Sequence, residues 1–210
     1  MSQMGFLFNA DECANCKACM VACKDIHDLP VGYKYRKVLT AEAGSWEKQG
    51  ESYVKNNVFS YSISISCNHC KMPACFAACP QGAIEKDAST GIMSVDSEKC
   101  IGCGTCVKVC PYEAPVILPG DHKAHRCDFC VDRLNRGEDP ACVAACMMRC
   151  LQYGDIDDLR AEYGDNADNA MLPSASETTP SIIILPHRCD QGLTEDDIKL
   201  YSASEEYVNG

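Results

Sequence analysis

Hydrophobic and polar positions alternate most clearly at residues 57–66, NVFSYSISIS. Phe59, Tyr61, Ile63 and Ile65 interleave with Ser60, Ser62, Ser64 and Ser66, a period of two that predicts a half-buried strand. Residues 83–99, AIEKDASTGIMSVDSEK, read as two short strands around a turn near Gly91. Helical patterning is sparse: DIDDLRAEYG at 155–164 predicts a helix capped by Asp155 and closed by Gly164. The polar, proline-broken stretch 165–180 predicts a linker. SIIILPH then predicts an edge strand, and LTEDDIKLYSASEEY a final element with Thr194 as its N-cap. The longest aliphatic run, SIIIL, is far too short to cross a bilayer, so no membrane span of the protein's own is expected.

These elements are too short to enclose a large hydrocarbon core, and the composition explains how the protein manages without one. Of 210 residues 46% are hydrophobic, yet 18 are cysteine, against five Phe and one Trp. Such a sequence is expected to fold around something other than hydrocarbon. The net charge of −11 argues against nucleic acid, whose phosphates need a basic surface. The opening MSQMGFLFNADEC has no basic stretch leading into an apolar one and no twin-Arg pair. No signal peptide is therefore expected, and the protein is expected to fold in the cytoplasm. Thiols in that reducing compartment point to metal or redox chemistry rather than disulfides.

Sixteen cysteines fall into four groups: Cys13, Cys16, Cys19, Cys23; Cys67, Cys70, Cys75, Cys79; Cys100, Cys103, Cys106, Cys110; and Cys127, Cys130, Cys142, Cys146. The third, CIGCGTCVKVCP, is the bacterial ferredoxin run C-x2-C-x2-C-x3-C-P. Its first three thiols lie on a tight loop that can wrap one cubane, with Gly102 and Gly104 letting the backbone approach the inorganic core. The fourth thiol, at the start of a short helix, points away and reaches a different cluster. The other groups keep C-x2-C at the start and C-x3-C at the end, but Lys24 and Met147 replace the final Pro in the first and fourth. Zinc sites pair two separated C-x2-C units and do not close with C-x3-C, so four [4Fe–4S] clusters are expected.

PACFAACPQGAI at 73–84 aligns with PACVAACMMRCL at 140–151, which marks an internal repeat. The crossed ligand rule then assigns Cys67, Cys70, Cys75 and Cys110 to one cluster, and Cys100, Cys103, Cys106 and Cys79 to its partner. Cys13, Cys16, Cys19 and Cys146 form a third, and Cys127, Cys130, Cys142 and Cys23 a fourth. The predicted architecture is α+β: a duplicated bacterial-ferredoxin-like fold with loop insertions. Residues 57–122 form one two-cluster unit, 1–56 plus 123–165 a second, discontinuous one, and 166–210 a linker and C-terminal extension contacting a partner. Cys150 and Cys189 are left over as non-ligands. Cys150 aligns with Ala83 and reads as a small buried filler.

Lys17, Lys71, Lys108 and Arg126 sit beside ligands, where positive charge would raise potentials, although solvated charges there would look the same. No catalytic residue is assigned. The sequence has no nucleotide loop and no nucleophile triad, and His27, His69, His122, His125 and His187 are scattered.

The segments CKACMVACKD, SISCNHCKMPAC, CPQGAI, CIGCGTCVKVCPYEAP and HRCDFCVDRLNRGEDPACVAAC resemble the iron–sulfur subunit of the dimethyl sulfoxide reductase (molybdopterin oxidoreductase) family. That resemblance implies an electron-transfer subunit of anaerobic respiration with four cubane clusters. It also implies a large catalytic partner carrying a molybdenum or tungsten bis-pyranopterin and, in many members, a membrane quinone-linked subunit. Such subunits act in the cytoplasm or are exported already folded with a twin-Arg-bearing partner. Some relatives lack one ligand Cys; here all sixteen positions are Cys. The departure is Met147-Met148-Arg149-Cys150, where the family has Pro and an RAL-like turn. A freestanding polyferredoxin, or the iron–sulfur subunit of a formate dehydrogenase- or hydrogenase-linked complex, are the alternatives.

Overall fold

The computed structural model describes residues 2–190 and 193–202. It opens with β1 (Met4–Asn9), whose sequence is largely apolar because the strand is covered on both faces. It lies at the centre of a sheet, antiparallel to β8 (Leu151–Asp155) and parallel to β9 (Ile182–Leu185). Phe6, Phe8, Ile182 and Ile184 face the main core. Leu7 and Ile183, in register, face the opposite way onto Ile156 of α6 (Ile156–Tyr163). SIIIL is therefore the edge strand its pattern predicts, and α6 starts and stops at the predicted Asp155 cap and Gly164.

Between β1 and β8 lie the cysteine loops and their short elements. α1 (Ala18–Ile26) carries Cys19 and Cys23. A long hairpin follows, β2 (Lys37–Gln49) and β3 (Ser52–Ile65). Then come α2 (Ala74–Ala77) and the β4 (Ile84–Lys86) and β5 (Met93–Val95) ribbon, which turns near Gly91 as predicted. α3 (Thr105–Val109), the β6 (Val116–Ile117) and β7 (Ala124–His125) ribbon, α4 (Val131–Leu134) and α5 (Ala141–Ala144) complete the series. No helix among the described residues is long and apolar enough to cross a membrane.

Three local expectations are corrected. Tyr61–Ile65 of β3 are buried on both faces, because Ser62, Ser64 and Ser66 turn inward toward polar partners instead of water. The polar stretch 165–180 is no free linker. The backbone N–H of Lys71 and of Met72 donate to Thr179 and Thr178 at 2.8 and 2.9 Å, and Ala167 and Met171 are buried. Its polar side chains satisfy backbone groups of neighbouring strands, as when Asn166 Nδ2 donates to the Ile184 carbonyl at 2.8 Å. Thr194 caps only a single turn at Glu195–Asp197. Strand β10 (Lys199–Ser202) then pairs with β2; the remainder of that predicted element, 203–207, lies outside the described residues. Residue 57, the expected start of a unit, lies within β3 of the β2–β3 hairpin.

Candidate metal centre

Each group of cysteines begins with a loop of the same backbone shape. The second residue after the leading Cys is left-handed in all four: Asn15 (φ 53°), His69 (45°), Gly102 (69°) and Phe129 (62°). Three of these are not glycine, a conformation that costs L-residues about 1–2 kcal/mol each and persists only where the surroundings hold it. In three loops the left-handed residue aims its N–H at the leading sulfur: Asn15 at Cys13, His69 at Cys67, and Phe129 at Cys127, the last at 3.4 Å. Gly102 answers to a separate demand as well, since a Cβ there would stand 2.0 Å from the His122 carbonyl oxygen.

The fold gathers the thiols into four sites. Cys100, Cys103 and Cys106 line one pocket with Cys79, which arrives from the end of α2. Cys13, Cys16 and Cys19 line another with Cys146, which arrives from the end of α5, 127 residues after Cys19. Cys67, Cys70, Cys75 and Cys110 are mutual neighbours; burial pushes the Cys70 thiol up to about 12, and the charges of Cys67, Cys110 and Cys75 add to this. Cys23, Cys130 and Cys142 likewise surround one another, with burial holding the Cys23 thiol up near 12, and Cys127 joins them. Thiols from two separate groups thus meet in each of these places. Where a crossing Cys ends its helix, the residue four further on lies against it. The N–H of Ala83 donates to Cys79 Sγ at 3.3 Å, and that of Ala114 to Cys110 Sγ at 3.5 Å.

Cys150 occupies that same position after Cys146, and it is buried, but it also touches the thiols of its site. Its Sγ is 3.5 Å from Cys146 Sγ, it hydrogen-bonds with Cys13, and it lines the Cys13 pocket. Cys189 lies elsewhere, its N–H donating to His187 Nδ1 at 3.1 Å. Cys150→Ala is expected to keep every cluster, since four thiols remain at that site; iron and acid-labile sulfide per polypeptide measure this, and a loss of one cluster's worth would make Cys150 a ligand.

The cations divide. Lys71 and Lys108 are exposed and Lys17 is half-buried at the Cys13 pocket, whereas Arg126 is buried with Nη2 donating to Cys75 Sγ at 3.0 Å. Arg36, which no cysteine motif flags, is buried beside Ser64 and Ser66, and the Ser64 Oγ lies 3.3 Å from Cys19 Sγ. His69 is buried and neutral, desolvation holding it down to about 3, with the charges of Arg126, Lys86 and Arg36 adding to this. Its Nδ1 accepts the Met93 N–H at 2.8 Å. A half-buried His27, which no motif flags either, brings Nε2 to 3.9 Å from Cys130 Sγ and 3.5 Å from Asp128.

Among the described residues, the buried side-chain nitrogens and oxygens without a partner are Arg36 Nε, both Asn68 amide atoms, His69 Nε2, and Arg126 Nε and Nη1. Nearly all are N–H donors that have no oxygen to bond, and all belong to residues beside the thiol tetrads. Buried donors require acceptors. A group that binds through thiolate-ligated iron and presents sulfur acceptors meets both demands, and a [4Fe–4S] cluster is such a group.

Comparison with known proteins agrees. The family model for a 4Fe-4S dicluster domain matches residues 58–156, and that for a 4Fe-4S binding domain matches residues 10–33. The sequence is 40% identical to the B subunit of anaerobic dimethyl sulfoxide reductase from Haemophilus influenzae, over 90% of this protein and 91% of that one. It is 42% identical to the protein of the same name from Escherichia coli K12, over 89% and 90%. It is 36% identical to protein NrfC of Escherichia coli K12, over 75% and 68%.

Proposed function

This protein belongs to the family of iron–sulfur electron-transfer subunits of anaerobic dimethyl sulfoxide reductases, and from that membership we propose that it relays single electrons through four [4Fe–4S] clusters to or from a molybdopterin-bearing catalytic subunit. Cys13, Cys16, Cys19 and Cys146 hold the first cluster; Cys67, Cys70, Cys75 and Cys110 the second. Cys100, Cys103, Cys106 and Cys79 hold the third; Cys127, Cys130, Cys142 and Cys23 the fourth. When bound, the clusters supply one-electron redox chemistry at potentials that the surrounding protein adjusts.

The observation that carries this reading is the linear order of the sites. Cys75 packs with Cys100, Cys106 and Cys79 in one buried cluster, which makes the Cys100 and Cys67 sites neighbours. Cys67 and Cys110 in turn pack with Cys127 and Cys23, and Cys142 packs with Cys146, Cys13 and Cys19. The order is therefore Cys100 site, Cys67 site, Cys127 site, Cys13 site. Among these sixteen thiols the exposed ones, Cys103 and Cys16, occur only at the two ends. A row whose exposed thiols lie only at its ends suits passage of electrons between two partners better than storage at one site.

The repeat of loop shape supports a duplicated ferredoxin-like fold with two clusters per unit, residues 57–122 forming one unit and 1–56 plus 123–165 the other. It also supports export, where it occurs, of the folded subunit with its partner, because the tetrads assemble from distant segments and need folding first. Native purification tests the proposal. About sixteen irons per polypeptide in a complex with a molybdenum- or tungsten-containing large subunit are expected, four per cluster. Elution as a lone species of 22.9 kDa would point instead to a freestanding carrier, and clearly fewer irons would remove the sixteen-ligand assignment.

A further inference from the structure

We propose that Arg36 and Arg126 are a matched pair of buried guanidinium charges that set the reduction potentials of the two interior sites, Arg36 at the Cys127 site and Arg126 at the Cys67 site. The inference rests on the four-cluster reading above.

Both side chains are almost wholly removed from water, at 1% and 5% exposure. Neither has a carboxylate partner among the described residues. Arg36 Nη1 donates to Ser64 Oγ at 3.2 Å, Nη2 donates to Ser66 Oγ at 3.0 Å, and the guanidinium lies 4.6 Å over the Phe6 ring. Arg126 gives Nη2 to Cys75 Sγ, and its other two nitrogens have no partner. A buried cation without an anion is strongly unfavourable. Guanidinium does not escape by losing its proton, because it stays charged at any pH a protein meets. The negative charge must come from the thiolates around them: Cys142, Cys19, Cys127 and Cys23 for Arg36; Cys67, Cys75 and Cys110 for Arg126.

The placement is the same twice. Each arginine meets an interior tetrad directly, Arg36 through its backbone N–H to Cys23 and Arg126 through Nη2 to Cys75, and reaches the end tetrad beside it, Arg36 through Ser64 to Cys19 and Arg126 through its charge to Cys106. A fixed positive charge in a water-poor site stabilises the more negative, reduced state of its neighbour. One electron enters and one leaves, and the guanidinium keeps its protons throughout. Each interior site is thereby held at a higher potential than it would have without its guanidinium.

The test is a redox titration of the intact purified complex, followed by the electron paramagnetic resonance of each reduced cluster. Arg126→Gln is expected to lower one midpoint through at least a tenfold fall in its reduction equilibrium constant, about 59 mV for one electron. Arg126→Lys, which keeps the charge, is expected to restore most of that shift. Arg36→Gln and Arg36→Lys are expected to do the same to a different cluster. Unchanged midpoints in the Gln variants with full iron content would overturn the proposal, leaving both arginines structural. So would an equal fall in the Lys and Gln variants, since geometry and not charge would then be at work. If a Gln variant fails to assemble, the Lys variant alone decides, a near-native midpoint supporting the proposal and a large fall overturning it. A wild-type protein with fewer than four clusters would defeat the four-cluster reading, whatever the arginine variants do.

Discussion

Stripping iron from the protein under anaerobic conditions is expected to abolish its cooperative thermal transition. Two of its hydrophobic clusters are too small to stand alone. One contains Ala83, Ile84, Met93 and Ala124 with Cys75, Cys100 and Cys106; another contains Leu29, Tyr35 and Ala114 with Cys23, Cys67, Cys110 and Cys127. Fully burying an Ile, Leu or Met side chain yields only about 1.5–3 kcal/mol, and each of these clusters holds one or two such residues. Three non-glycine residues in left-handed loops oppose folding by about 1–2 kcal/mol each. Structural metal centres, by contrast, contribute roughly 10 kcal/mol or more to folding, comparable to the entire stability of a typical domain. Without iron the buried thiols also stay protonated, since burial holds Cys23 and Cys70 near 12, and Arg36 and Arg126 lose their counter-charge.

The loss should be uneven. The β8-β1-β9 sheet is packed by Phe6, Leu7, Phe8 and Ile182–Ile184, all at 2% exposure or less, and its Leu7–Ile183 face meets Ile156 with no thiol in that cluster. Hydrogen exchange on the stripped protein is expected to show fast exchange through residues 67–130, with the slowest remaining amides in β1 and β9. An iron-free protein that melts cooperatively at the holoprotein's temperature would show that hydrocarbon packing suffices.

What is legible in the sequence alone follows from which information is local. Spacing is local, so sixteen cysteines can be grouped, and the ferredoxin rule predicts the crossing of Cys79, Cys110, Cys146 and Cys23. The ends of α6 are local too, held by Asp155 and Gly164. The left-handed His69 and Phe129 leave no trace because glycine, and after it Asn, are the residues that advertise that conformation in sequence. Arg36 escapes notice because it lies 13 residues from the nearest ligand in sequence and is brought to the tetrads only by β2–β3 pairing. The serines of β3 look like a solvent face for the same reason: a hydroxyl that serves a buried guanidinium is indistinguishable in sequence from one that faces water. Residues 165–180 read as a linker because their polarity is satisfied by backbone groups of distant segments.

Cys146→Ala is expected to damage the site at the far N-terminus and not the one beside it in sequence. Cys146 lies four residues after Cys142, at the end of the helix that carries Cys142, yet it lines the pocket of Cys13, Cys16 and Cys19 while Cys142 neighbours Cys23. Losing one thiolate of four leaves a cubane corner without a protein ligand. Iron per polypeptide should therefore fall by between one atom and one whole cluster, depending on whether a three-iron core survives. Hydrogen exchange should rise at residues 13–19 and leave 127–130 protected. The companion change Cys142→Ala should reverse that pattern, exposing 127–130 and the Cys23 end of α1. Cys150 is the one thiol placed to substitute, at 3.5 Å from Cys146 Sγ. The double variant Cys146→Ala/Cys150→Ala is thus expected to lose the N-terminal cluster entirely even if the single variant retains part of it. Loss of protection at 127–142 in Cys146→Ala, with residues 13–19 untouched, would mean that Cys146 serves the site of its sequence neighbours and that the crossed assignment is wrong.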